Sequence, residues 1–191
     1  VNRLPVVASS DGDGGGSPCD GCHGRCCAEH RVPVDGFDLV RLMRARGETW
    51  QALVELEPVD HPLYFGFRLD GGARHWLIYL RRHAGGACRF LVGPDGAQRC
   101  GVYAARPGAC RTYPAALDDG RPIFSAHAIC PPERAAAWSA RLATGDRAAL
   151  DDLAARERYA MALERWNLEV VGHTRTVDEL IAFMSAALDA S

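Results

Sequence analysis

Apolar residues recur at helical spacing over Phe37–Arg46, where Leu39, Val40, Leu42 and Met43 share a face and Gly47 stands at the C-terminal cap. A shorter helix is expected over Thr49–Leu56, stopping ahead of Pro58 because the residue before a proline is pushed out of helical geometry. The period then shortens. L-Y-F-G-F-R-L, D-G-G-A and R-H-W-L-I-Y-L-R-R (residues 63–82) read as two strands joined by a glycine turn. A-C-R-F-L-V, G-P-D-G and Q-R-C-G-V-Y (residues 87–103) read as a second hairpin carrying Cys88 and Cys100. Residues 101–114 are loop with at most one helical turn, and P-I-F-S-A-H-A-I (residues 122–129) is a last strand. Beyond it the pattern is helical: Glu133–Ala143 closed by Gly145, and Arg147–Val170 closed by Gly172. The last helix opens at Thr176 with a capping box to Glu179. Its stripe of Leu180, Phe183, Met184, Ala187 and Leu188 is expected to pack on the rest of the protein, or to dock a partner.

These elements predict an α+β fold: a small cysteine-rich core of short strands, hairpins and loops, with a C-terminal helical extension. The expected division is a flexible segment over 1–18, a cysteine domain over 19–132, and a helical extension over 133–191 packed on it. The lead-in A-S-S-D-G-D-G-G-G-S-P offers no calcium loop, since Cys22 stands where the twelfth-position glutamate belongs. Nor is it a phosphate loop, which needs a strand before it and a helix after it.

Composition narrows the field further. The chain has 191 residues, 48% hydrophobic and 24% charged, ordinary values for a globular protein. A net charge of −2 gives no general attraction to nucleic acid or an anionic membrane. No apolar run reaches the roughly 20 residues that span a bilayer, and the N-terminus shows no signal-peptide core. The cytoplasm, where thiols stay reduced, is the expected compartment.

The candidate chemistry is sulfur. Cys19, Cys22, Cys26 and Cys27 fall within C-D-G-C-H-G-R-C-C, and Cys88, Cys100, Cys110 and Cys130 follow. A short loop with C-x2-C spacing can wrap both sulfurs around one ion or one edge of an iron–sulfur cluster. Thiolates are the ligating form, and cations lower thiol pKa values; Arg25, Arg89, Arg99 and Arg111 each adjoin a cysteine. Eight thiols suit two four-ligand sites, one cluster with spare cysteines, or a polynuclear thiolate site. In extended backbone Cys26 and Cys27 would diverge, so both reach one ion only if the chain turns sharply there. His23, inside the run, and His127, at H-x-x-C with Cys130, are further candidate ligands. An even cysteine count also suits disulfide staples in a secreted chain. Trp76, Tyr79 and Phe90 read as core, and Arg81–Arg82 as a solvated strand end.

The segments C-D-G-C-H-G-R-C-C and C-R-F-L-V-G-P-D-G-A-Q-R-C-G-V-Y-A-A-R-P-G-A-C-R-T-Y-P resemble the YkgJ-type cysteine-cluster family, described as a zinc- or iron-chelating domain. The resemblance spans Cys19 to Cys130, with three residues between Cys22 and Cys26 where the common family form has two. It implies that all eight cysteines are candidate chelators, framed by Tyr103, Arg106, Pro107, Arg111, Tyr113 and Pro114. The family also includes a flagellin lysine N-methylase associated with a [4Fe–4S] cluster, which makes such a cluster the first expectation and zinc the alternative. The chain itself lacks G-x-G-x-x-G between strand and helix, so the resemblance does not make it a methylase. Three functions follow as expectations. One is an iron–sulfur protein active in redox, group-transfer or substrate chemistry on a small molecule. A second is a zinc-stabilised module docking a protein partner through its helical tail. The third is a metal carrier or sensor. The residues name no reaction, and catalytic residues stay unassigned.

Overall fold

The computed structural model describes residues 24–60, 66–70, 74–94, 98–118, 121–124, 128–130, 136 and 147–190. It is an α+β structure of small antiparallel sheets and helices. The chain divides into two compact units, Val1–Val32 with Arg82–Leu150, and Pro33–Arg81 with Asp151–Ser191. All six described cysteines fall in the first unit. Among the described residues no helix is long and apolar enough to cross a membrane.

The second unit is built around α2 (Gly36–Arg46). Asp35 caps its start, accepting the Asp38 N–H at 2.6 Å, and Gly47 ends it in the left-handed region at φ 62°. Phe37, Leu39, Val40 and Leu42 are buried on it. Asp38, also buried, is offset by an ion pair with Arg41 one turn on. The second helix is shorter than the pattern predicts: α3 (Trp50–Leu53) gives way to strand β2 (Val54–Val59). V-E-L-E alternates with the period of a strand, and that pattern wins once β3 (His75–Leu80) is present to pair with it. The sheet runs β1 (Pro33–Val34), β3, β2, all antiparallel. Pro58 is tolerated in edge strand β2 because it faces Trp76, whose own N–H and C=O are spent on Phe67 across the other edge.

That Phe67–Trp76 bridge is what the described residues show of the expected first hairpin. The chain around Phe67 is held instead by side chains of α5 (Arg147–Glu169). Asn167 accepts the Arg68 N–H at 2.9 Å and donates to the Gly66 carbonyl at 3.0 Å, while Trp166 Nε1 donates to the Arg68 carbonyl at 2.7 Å. Helix α6 (Val177–Asp189) opens with the predicted Thr176–Glu179 capping box. It buries Leu180 and Met184, and Phe183 packs on Trp166 with ring centroids 5.5 Å apart. A Cβ at Gly36 would stand 2.8 Å from Met184 Cγ and 3.2 Å from Tyr159, so glycine lets α2 start hard against α5 and α6.

The first unit has short elements: α1 (Arg25–Glu29), β4 (Leu91–Val92) paired with β5 (Arg99–Cys100), a 3-10 turn (Tyr103–Ala105), α4 (Gly108–Thr112), and the hairpin β6 (Ala115–Asp118) and β7 (Arg121–Phe124). Cys100 lies on the second strand of the predicted hairpin, but Cys88 precedes the first one, in a bridge to Arg82. The predicted last strand begins as β7, paired with β6, and its residues 125–127 lie outside the described ones. Apart from Ala136, so does the helix expected over Glu133–Ala143.

Candidate metal centre

Cys26 and Cys27 sit on α1, not on extended chain. The helix starts because Gly24 adopts φ 68°, where a Cβ would in addition stand 2.6 Å from Leu91 Cδ1. One turn closes with Ala28 N–H on the Gly24 carbonyl and His30 N–H on the Cys26 carbonyl. On a helical turn adjacent side chains lie about 100° apart instead of opposed. The two Sγ atoms accordingly stand 4.0 Å apart, so the sharp turn demanded by sharing one ion is present.

Other thiols are brought to this turn by backbone contacts. Cys88 N–H donates to the Cys27 carbonyl at 2.7 Å, and Cys88 itself is presented by the tight turn His83–Ala87, in which Gly86 has φ 87°. Cys100 faces Leu91 across the β4–β5 ladder, and Cys110 lies in α4 behind buried Pro107. Cys130 is tied in through its neighbour: Ile129 N–H donates to the Tyr113 hydroxyl at 2.7 Å, and that hydroxyl meets His30 Nε2 at 3.0 Å. Of the six described cysteines, Cys88 is buried and the rest are half-buried. Cys19, Cys22, His23 and His127 lie outside the described residues.

The electrostatics follow from that gathering. The sulfur–sulfur contact with Cys27 pulls the Cys26 pKa down to about 7, with burial opposing and Arg106 assisting. The same contact pushes Cys27 up, reinforced by burial and by Cys26, Cys110 and Cys88 nearby. Burial raises Cys88 and Cys100, while Arg89 and Arg82 pull Cys88 back and Arg106 does so for Cys100. Burial likewise raises Tyr113, which also feels Cys130 and Cys26. A thiol group that disfavours its own charge in this way is the condition a cation relieves.

The predicted arginines take different places. Arg106 lies 4.0 Å over the Tyr103 ring, and Arg111 donates to the Arg106 carbonyl at 2.7 Å, holding that loop. Arg89 stacks on Phe90. Arg25 is turned outward to Glu29 at 3.6 Å, and Arg99 is exposed on β5. Arg82, read from sequence as a solvated strand end, instead reaches the Ala28 and Glu29 carbonyls at 3.4 and 3.5 Å, at the C-terminal end of α1. Only its place six residues before Cys88 in a glycine-rich turn hinted at this.

The donor set fits a thiophilic metal. Two thiolates on one tetrahedral ion at about 2.3 Å stand about 3.8 Å apart, close to the observed 4.0 Å. Arg82 Nε and the Tyr103 hydroxyl are buried donors with no acceptor among the described residues, and they flank these thiols; thiolate sulfur is the acceptor such donors want. Among the described residues no three His, Cys, Asp or Glu side chains already form a closed metal-holding group, so what is described is a close pair of thiols with further thiols around it. Residues 18–134 match the family model CxxCxxCC, whose description is "Putative zinc- or iron-chelating domain". No curated protein and no solved structure matches the chain.

Proposed function

The chain belongs to the CxxCxxCC family, and from that premise we propose that it holds one four-coordinate zinc or iron ion through Cys26 and Cys27, completed by Cys19 and Cys22. The 4.0 Å separation of the Cys26 and Cys27 sulfurs carries this reading, because two adjacent cysteines occupy two corners of one tetrahedron only where the backbone is bent to let them. Cys19 and Cys22 supply the C-x2-C arm that completes a four-thiolate set. A zinc ion so held supplies a cross-link, of about 10–16 kcal/mol in small metal domains, and an iron ion supplies in addition a one-electron couple.

A [4Fe–4S] cluster is the second reading, favoured by Cys88, Cys100 and Cys110 around the same turn with Arg82, Arg89 and Arg106. Four thiolates on a cubane leave a net charge near −2, which guanidinium groups offset. Each iron there takes one cysteine, so Cys26 and Cys27 would serve different irons. Protein purified without oxygen, analysed for metal and sulfide beside its visible spectrum, separates the two. One zinc or iron per chain and no inorganic sulfide supports the single ion; four irons, four sulfides and a broad band at about 400 nm support the cluster. A folded chain with no bound metal under either condition overturns both.

A further inference from the structure

We propose that the chain self-associates through α5, two copies laying this helix antiparallel across a two-fold axis centred between Glu164 and Arg165. Among the described residues the exposed large apolar side chains are Met161, Leu168 and Val171, at 72%, 69% and 57% exposure, on α5 or just past its end. Met161 and Leu168 lie on the helix face opposite Tyr159, Leu163 and Trp166, which are buried, and Val171 is in the turn that follows the helix. At about 100° per residue Met161, Glu164, Arg165 and Leu168 form one continuous outward stripe.

That stripe is its own complement. Turning the sequence about the Glu164–Arg165 midpoint carries Met161 onto Leu168 and Arg158 onto Val171, and carries Glu164 onto Arg165. Each pairing then occurs twice, as an isologous interface requires: apolar on apolar, an arginine stem over valine, and opposite charges at the axis. No pair in the set opposes like charges. This register selects a second copy of the chain over an unrelated partner, which would have no reason to match it. Arg165 already bonds Glu169 at 2.9 Å and lies 5.5 Å from the Phe183 ring centre. Its guanidinium carries five donors, enough to serve Glu169 and a carboxylate across the axis together. The helical face from residue 157 to 169 is only about 20 Å long, so a single helix pair buries less than the about 800 Å² per partner of a standard interface. A weak, reversible dimer is expected.

Sedimentation equilibrium on the full metal-loaded chain tests this, and the outcome is independent of which metal is bound. The wild type should show a monomer–dimer equilibrium, and Leu168→Glu should weaken it about tenfold or more. Glu164→Arg, which sets arginine against arginine twice across the axis, should also weaken it. Combining it with Arg165→Glu should bring association back to within about twofold of wild type, since the charges are then exchanged but still paired. Circular dichroism keeps misfolding apart from lost association, because all three positions are exposed. A wild type monomeric up to about 1 mM, an unchanged Leu168→Glu variant, or a double variant no better than Glu164→Arg overturns the proposal.

Discussion

Two single residues govern how the described cysteines are set: Gly24 for the Cys26–Cys27 turn and Tyr113 for the chain beside Cys130. Gly24 combines a left-handed φ with a close approach to Leu91, so Gly24→Ala is strained twice over. The backbone part alone costs about 1–2 kcal/mol, or roughly tenfold in binding, and the variant should lose at least that much zinc affinity in competition with a chromogenic chelator. Tyr113 acts differently. Its hydroxyl accepts from Ile129 N–H, so its own proton is available to His30 Nε2, and the bond to Ile129 adjoins Cys130. Tyr113→Phe keeps the edge-on ring contact with His30 but leaves the Ile129 N–H without this acceptor, at a cost of about 1–3 kcal/mol. Mass-mapped alkylation should then show Cys130 reacting several-fold faster, with Cys88, buried behind its own turn, unchanged.

Among the elements, α6 shows how local chemistry and packing combine. Its capping box satisfies two N–H groups at the start, and Thr176→Ala should cost about 1 kcal/mol in urea denaturation. Hydrogen bonds from the Thr176 backbone and hydroxyl hold the Glu179 carboxyl below its ordinary pKa. A carboxylate depressed by folding stabilises the protein above its unfolded pKa, about 4.3, and that contribution is lost as pH falls through the depressed folded value. Thermal melts should therefore show wild type more stable than Glu179→Gln at pH about 6 and the difference closing towards pH about 3. The strand β2 teaches the converse lesson. Thr49–Leu56 reads as helix when Pro58 is weighed as a stop signal, but V-E-L-E alternates, and a partner strand decides between the two.

For the whole molecule, the informative division is between a unit that holds every described cysteine and a unit that holds none of them. The second is closed by ordinary apolar packing: Leu39, Leu42, Trp166, Leu180 and Met184 are buried, and no thiol is needed. The first has small elements, several of two to five residues, and a modest apolar core of which Phe90, Leu91 and Val102 are members. Stripping metal with a chelator should therefore remove hydrogen-exchange protection from residues 24–32 and 98–114 while leaving 36–46, 75–80 and 177–189 protected. Equal loss in both sets, or none, would show that metal does not organise the cysteine unit.

The sequence alone determined the features that depend on neighbours within a turn or two. The Phe37–Arg46 helix with its Gly47 stop, the Thr176–Glu179 cap, the strand at Arg99–Cys100 and the family's cysteine blocks are all legible as short-range patterns. Tertiary structure alone decided which distant stretches share a core. Residues 33–81, lying in sequence between the first four cysteines and the last four, close with the C-terminal helices, and Phe67, Tyr159 and Met184 are buried there. It also decided that Cys26 and Cys27 point together, through a left-handed glycine that no periodicity reports, and that Arg82 caps their helix from more than fifty residues away. Backbone sign and long-range carbonyl contacts leave no trace in spacing, since each depends on the atoms the folded chain brings near.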